Sequence, residues 1–119
     1  MGRHQKKNSK LTVSVAALAD VAVEWWRLDR WSQAQDEGRL VARHVARRLG
    51  RFLDEQRVEV LDLTGKPYEA GLAVEVLESQ ADAAVPAGQE VVGETVSPIV
   101  LRKGAVVRHG QVVIRRGEG

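Results

Sequence analysis

The side chains that could perform chemistry are few and widely separated along the chain. His4, His44 and His109 have neither a cysteine nor a carboxylate at the spacing that metal ligands need. The serines occupy no strained strand-to-helix turn that would expose a nucleophile, and no glycine-rich loop joins a strand to a helix to hold phosphate. We therefore predict no catalytic residue, no metal site and no cofactor. The protein is expected to act by binding a partner and not as an enzyme.

The composition is that of a globular chain, with 44% hydrophobic residues, 29% charged residues and a formal net charge of +2 in 119 residues. Cysteine is absent, which excludes disulfides and fits a reducing compartment. The longest apolar run, 13–19, is much shorter than the roughly 20 residues that a membrane span needs, and no signal-peptide pattern precedes it. We expect a cytoplasmic protein without membrane contact, beginning with a basic flexible tail over residues 1–10.

The first half of the sequence predicts a helical hairpin over residues 11–56. Apolar residues recur every three or four positions from about Leu11 to Trp31, which places them on one face of a helix. After Gly38, a second set repeats this spacing: Val41, Val45, Leu49, Phe52 and Leu53. The polar segment 32–38 between the two sets favours a turn.

One stripe on the first predicted helix is too apolar for an isolated pair of helices, and it consists of Leu18, Val21, Trp25 and Leu28. We predict that two copies pair through this stripe as a homodimer built like a four-helix bundle. Trp26 lies about 100° around the helix from Trp25, so the same contact cannot bury both rings. Trp26 therefore requires a second packing surface or serves as an interaction hot spot.

The second half, residues 57–116, predicts a small all-β domain, so the chain as a whole is assigned to the α+β class. A first strand over 58–63 is followed by a turn at 64–67, a second strand over 72–77 and a loop over 79–89. The β-branched segment 94–115 predicts a three-stranded meander. Its reversals are placed at Lys103-Gly104 and His109-Gly110.

A row of arginines follows the second predicted helix at four-residue intervals: Arg39, Arg43, Arg47 and Arg51, with His44 and Arg48 beside them. Such a row favours an acidic partner, either a phosphate backbone or an anionic protein surface. The alternative is a solvated face neutralised by Asp36, Glu37, Asp54 and Glu55. Because the sequence shows no aromatic platform among the arginines, we expect only weak and unspecific binding of nucleic acid.

Several strings in the sequence resemble the GrpE family of nucleotide exchange factors for Hsp70 (DnaK-type) chaperones. Leu18-Ala-Asp20-Val21 is similar to the leucine-aspartate helix of that family, and 38–53 to the helix that leads into its β domain. The segments 57–62 and Gly65-Lys-Pro-Tyr68-Glu69 resemble its valine-rich strand and Gly-x-Pro-Phe-Asp turn. The segments 85–88 and 102–104 resemble its proline-glycine loop and Lys-Gly hairpin. At 73–75, where the family carries His-Glu-Ala, this chain has Ala-Val-Glu.

The resemblance spans about Leu11 to Ile114 and implies a divergent, shortened co-chaperone whose β domain binds an Hsp70-like ATPase domain and promotes ADP release. The partner-binding residues that it implies are those of the Lys-Gly hairpin and the aromatic turn: Arg102, Lys103, Gly104, Val106, Arg108, Pro67 and Tyr68. The alternative function is that of a small adaptor or structural subunit, which binds nucleic acid or an acidic protein through the arginine-rich helix.

Overall fold

The computed structural model describes residues 9–34 and 39–118. The described elements are two helices followed by six strands: α1 Val15–Gln33, α2 Leu40–Glu55, β1 Val58–Leu61, β2 Val74–Ala81, β3 Glu90–Ser97, β4 Ile99–Arg102, β5 Ala105–Arg108 and β6 Gly110–Arg116. This order confirms the predicted α+β class, with a helical hairpin before a β domain. His4, most of the predicted tail, and Asp36 and Glu37 of the predicted turn lie outside the described residues.

The two helices approach each other closely at a glycine. Gly50 of α2 faces the Trp25 indole, and a Cβ placed on Gly50 would lie 3.2 Å from its nitrogen. That nitrogen donates a hydrogen bond of 2.8 Å to the Ala46 carbonyl, so Trp25 joins α1 to the backbone of α2. At the start of α1, the Ser14 hydroxyl accepts from the Ala17 amide at 3.0 Å. Helix α1 therefore begins at Val15, later than the predicted start near Leu11.

The six strands form two three-stranded sheets. The first has the order β1-β4-β5 and is antiparallel; the second has the order β2-β6-β3, with β2 parallel and β3 antiparallel to β6. The chain passes from the second sheet to the first at Pro98, and it returns at His109. Proline has no amide hydrogen for a ladder bond, which suits a position between two sheets.

The predicted three-stranded meander over 94–115 is therefore wrong: of the strands that follow one another in this segment, only β4 and β5 are neighbours in a sheet, whereas β3 pairs with β6. Their reversal at Lys103-Gly104 is confirmed, with φ of 52° and 82°, as a tight hairpin turn requires. The reversal predicted at His109-Gly110 does not exist. Gly110 is needed there for a close backbone approach, since a Cβ would lie 2.9 Å from the Ser97 carbonyl oxygen.

The predicted loop over 79–89 is also wrong at its start. Ser79, Gln80 and Ala81 continue β2 and pair with Ile114–Arg116 of β6. Their side chains are exposed, so the strand is held by backbone pairing with one neighbour and lacks the alternating apolar pattern that marks a half-buried strand.

Two apolar cores hold the structure together. The first joins both helices to the first sheet through Ala19, Ala22, Val23, Leu53, Val58 and Val100. The second lies on the β2-β6-β3 sheet and contains Val92, Val112 and Ile114, with Tyr68 packed against them. None of the helices in the described part of the chain combines the length and apolar character that a bilayer span requires.

Candidate partner-binding surface

The tip of the β4–β5 hairpin lies against the carboxyl end of α2. The Lys103 amide donates to the Arg57 carbonyl at 2.9 Å, and Arg102 Nε donates to the Gln56 carbonyl at 3.1 Å. Arg57 follows the helix in the left-handed conformation, with φ of 62°, a position where glycine is the usual residue. The tip thus donates two hydrogen bonds to carbonyl groups at the end of α2, so its position does not depend on the hairpin alone.

This arrangement gathers three basic side chains, which we call the basic tip: Arg57, Arg102 and Lys103. Arg57 and Lys103 are exposed, whereas Arg102 is half-buried. Sequence reasoning placed Arg102 and Lys103 here but missed Arg57. The available signal was its position directly after the last turn of α2, where a helix end must meet whichever element packs beside it.

Strand β5 extends the exposed surface away from the basic tip. Val106 and Val107 are 44% and 37% exposed on this edge strand of the first sheet. Arg108, one of the predicted partner-binding residues, forms an ion pair with Asp20 of α1. Its guanidinium therefore links the hairpin to the helices, so a substitution there changes an internal contact as well as the surface.

The aromatic turn belongs to the other sheet. Pro67 forms a bridge with Val91, and the Tyr68 amide donates to the Glu90 carbonyl at 2.9 Å. Among the described residues, no hydrogen bond joins the segment Gly65–Tyr68 to the β4–β5 hairpin. Pro67 and Tyr68 therefore lie on the second sheet, apart from the hairpin residues that were predicted with them, and Tyr68 contributes to the second core.

Asp62, directly after β1, connects α1 to the second sheet. Its carboxylate accepts from the Trp26 indole at 3.3 Å, and from the amide and hydroxyl of Thr64 at 3.0 and 2.7 Å. The Thr64 hydroxyl oxygen lies 2.9 Å from the Thr95 hydroxyl oxygen of β3, within hydrogen-bonding distance. Partial burial raises the pKa of Asp62, but the hydrogen bonds from Thr64 and Thr95 and the nearby Arg30 charge together lower it.

Of the two alternatives predicted for Trp26, the structure shows the second packing surface, which lies against the β domain. Its side chain is buried, its indole nitrogen bonds to Asp62, and the Arg30 guanidinium lies 4.5 Å from the ring centroid. Trp26 is therefore part of the joint between α1 and the β domain.

The four predicted dimer residues lie in two environments. Leu18 and Trp25 pack against the first core of their own chain. Val21, which is 42% exposed, and Leu28 line a shallow apolar groove between α1 and α2, together with Leu49. Along α2, this apolar surface continues in exposed side chains on the same helix face: Val41, Val45 and Phe52.

We predict that Val21→Asp converts a homodimer into a monomer, because it places a carboxylate in the middle of this groove. Light scattering and sedimentation at high micromolar concentration measure the change. Val107→Asp, on the exposed edge of β5, is the matched control and leaves the dimer intact. A wild-type protein that is strictly monomeric in the same measurement contradicts the prediction.

The first two arginines of the row, Arg39 and Arg43, contact residues at the end of α1. Arg39 stacks on Trp31, with its guanidinium carbon 3.2 Å from the ring centroid, and Arg43 Nε donates to the Ser32 carbonyl at 3.3 Å. Further along α2, Arg47 and Arg51 are exposed and line a cleft whose other walls include Asp29, Asp54 and Glu59. Within residues 9–34 and 39–118, neither Arg47 nor Arg51 forms an ion pair with these acids.

In the described part of the chain, no group of three or more histidine, aspartate or glutamate side chains has the arrangement of a metal site. His44 is exposed on α2, and His109 is exposed between β5 and β6. Searches against models of known protein families and against curated proteins find no match for this chain.

Proposed function

We propose that this protein is a GrpE-like nucleotide exchange factor, a co-chaperone that binds the ATPase domain of an Hsp70-like chaperone and promotes ADP release. The observation that carries the proposal is the basic tip, an exposed hairpin end that is hydrogen-bonded to the end of α2. The order of a helical hairpin before a β domain agrees with the resemblance in sequence. A contact surface built on fixed elements keeps its shape when it meets a partner.

The proposed mechanism is mechanical and uses no acid, base or nucleophile. The β domain binds the open form of the ATPase cleft more tightly than the closed form, and it shifts the equilibrium by that difference in affinity. A tenfold shift toward the open cleft needs a difference of about 1.4 kcal/mol. The basic tip and the exposed valines of β5 supply charge and apolar area for such a contact. In this proposal the protein acts in the cytoplasm and as a homodimer.

The direct test measures the release of a fluorescent ADP analogue from an Hsp70-type chaperone of the same cell. We expect saturating protein to accelerate release about tenfold, which corresponds to a difference of about 1.4 kcal/mol between its affinities for the open and the closed cleft. The double variant Arg57→Glu/Lys103→Glu abolishes the acceleration, because it reverses both exposed charges of the basic tip. Arg108 is left unchanged, since its ion pair with Asp20 belongs to the fold.

The matched control is Arg47→Glu/Arg51→Glu, which makes the same change in net charge on α2, away from the hairpin. It retains full exchange activity. Circular dichroism establishes that both variants are folded. An unchanged release rate with wild-type protein at saturation rejects the proposed function and leaves a resemblance of fold alone.

A further inference from the structure

The structure places the Trp31 ring beside the arginine row, among whose residues the sequence showed no aromatic side chain. Trp31 lies at the end of α1 and is 47% exposed, and the Arg39 guanidinium covers part of its ring at 3.2 Å. Because α2 returns along α1, the arginine row starts at this ring and runs back past Ser32 and Asp29. An exposed tryptophan therefore stands at the head of a row of positive charges.

A shallow hollow of about 390 Å³ opens beside Trp31, and its other walls are Arg27, Arg30 and Ala34. Arg27 is held by an ion pair of 2.6 Å with Glu24. Arg30 lies over the Trp26 ring and is also exposed to solvent. The hollow thus combines an indole surface with two guanidinium groups whose positions are set by contacts within α1.

The remaining positive charges follow α2. Arg47, Arg48 and Arg51 are exposed, and they form no ion pair with any residue in the described ranges. Residues four apart in a helix are separated by about 6 Å along its axis, so the row offers evenly spaced donors to an extended polyanion. Every residue of fixed positive charge on the two helices is an arginine, whose planar guanidinium matches the geometry of phosphate.

We propose that this arginine–tryptophan surface, defined by Arg30, Trp31, Arg39, Arg47, Arg48 and Arg51, binds single-stranded nucleic acid without sequence preference. The arginines neutralise successive phosphates, and an unpaired base stacks on the exposed part of Trp31. A duplex does not present such an unpaired base, and an acidic peptide has no base that could stack on the indole. Asp29, Asp54 and Glu59 lower the positive potential at one side of the row, which limits the affinity to a few phosphate contacts.

The test uses fluorescence anisotropy with a labelled thymidine oligonucleotide of 15 nucleotides and the full chain. Three or four neutralised phosphates give a plot of log binding constant against log salt concentration with a slope of about −2 to −3. Arg47→Glu/Arg51→Glu weakens binding at least tenfold and makes the slope shallower by about 1.4. The charge-matched control, Arg57→Glu/Lys103→Glu, retains most of the affinity, so failure of the proposed exchange function leaves this result unaffected.

A second pair of variants separates stacking from charge. Trp31→Ala weakens oligonucleotide binding about tenfold, the effect of losing one stacked base, whereas Trp31→Phe retains most of the affinity. The proposal is overturned if Trp31→Ala binds like wild type, if a duplex of equal length binds equally well, or if polyglutamate competes as effectively as the oligonucleotide. The last result identifies the surface as a site for an acidic protein. Circular dichroism establishes that each variant is folded.

Discussion

Replacing Leu53 by alanine is expected to lower the free energy of unfolding by about 2–5 kcal/mol. Leu53 is buried in the first core, where α1, α2, β1 and β4 meet. The substitution removes apolar contacts and leaves a cavity that four elements must collapse to fill. Since a domain of this size has a total stability of about 5–15 kcal/mol, the loss is a large part of the whole.

Urea denaturation followed by tryptophan fluorescence and by circular dichroism measures this effect. All three tryptophans lie on α1, whereas circular dichroism sums the signals of both helices and the strands, so only the second signal includes the β domain. We expect them to shift together, because the first core joins both parts. Leu40→Ala is the matched control; Leu40 is 74% exposed, and its loss changes stability by less than about 0.5 kcal/mol. Separate transitions in the wild-type protein contradict the prediction of one cooperative unit.

The second large effect is expected at Gly110. Alanine there places a Cβ 2.9 Å from the Ser97 carbonyl oxygen and 3.1 Å from the Ile99 nitrogen. Both neighbours are backbone atoms at the crossing between the two sheets, so neither can rotate away as a side chain could. We expect Gly110→Ala to lower the free energy of unfolding by about 1–3 kcal/mol, the usual cost of inserting a carbon into packed structure.

Gly93→Ala on β3 provides the comparison for Gly110→Ala. The three atoms nearest to a Cβ at Gly93 all belong to the side chain of Arg115, which is partly exposed and can move. We expect a smaller loss of stability there, measured by the same denaturation. Equal losses at the two glycines contradict the argument that fixed backbone atoms at the crossing cause the effect.

Local signals were sufficient for the helices and for the β4–β5 turn. The apolar spacing predicted both helices, and Ser14 at the start of α1 is a residue that caps helices well. Lys103-Gly104 adopts the positive φ values that a tight hairpin turn requires. These features depend on residues at most a few positions apart, which is why the sequence contains enough information to predict them.

The pairing of strands depended on contacts between distant segments. Adjacent strands in sequence are usually neighbours in a sheet, and this tendency led to the incorrect meander. In the structure, β6 inserts between β2 and β3, so the residues that pair with it lie at least 14 positions earlier in the chain. Gly110 was expected to form a reversal, yet its role is to admit the backbone of Ser97. Which backbone approaches a glycine is decided by the whole fold.

The residues of the candidate surfaces also fall into two groups: those that the local sequence predicts and those that only tertiary packing brings together. The arginine row and the Lys-Gly hairpin follow from residue types and spacing, because each lies within one element or one turn. Only packing shows that Arg57 joins the hairpin tip, that Arg108 is held by Asp20, and that Trp31 stacks with Arg39. These contacts join residues 8 to 88 positions apart, and they exist because the buried core between α1, α2 and the first sheet sets where each side chain lies.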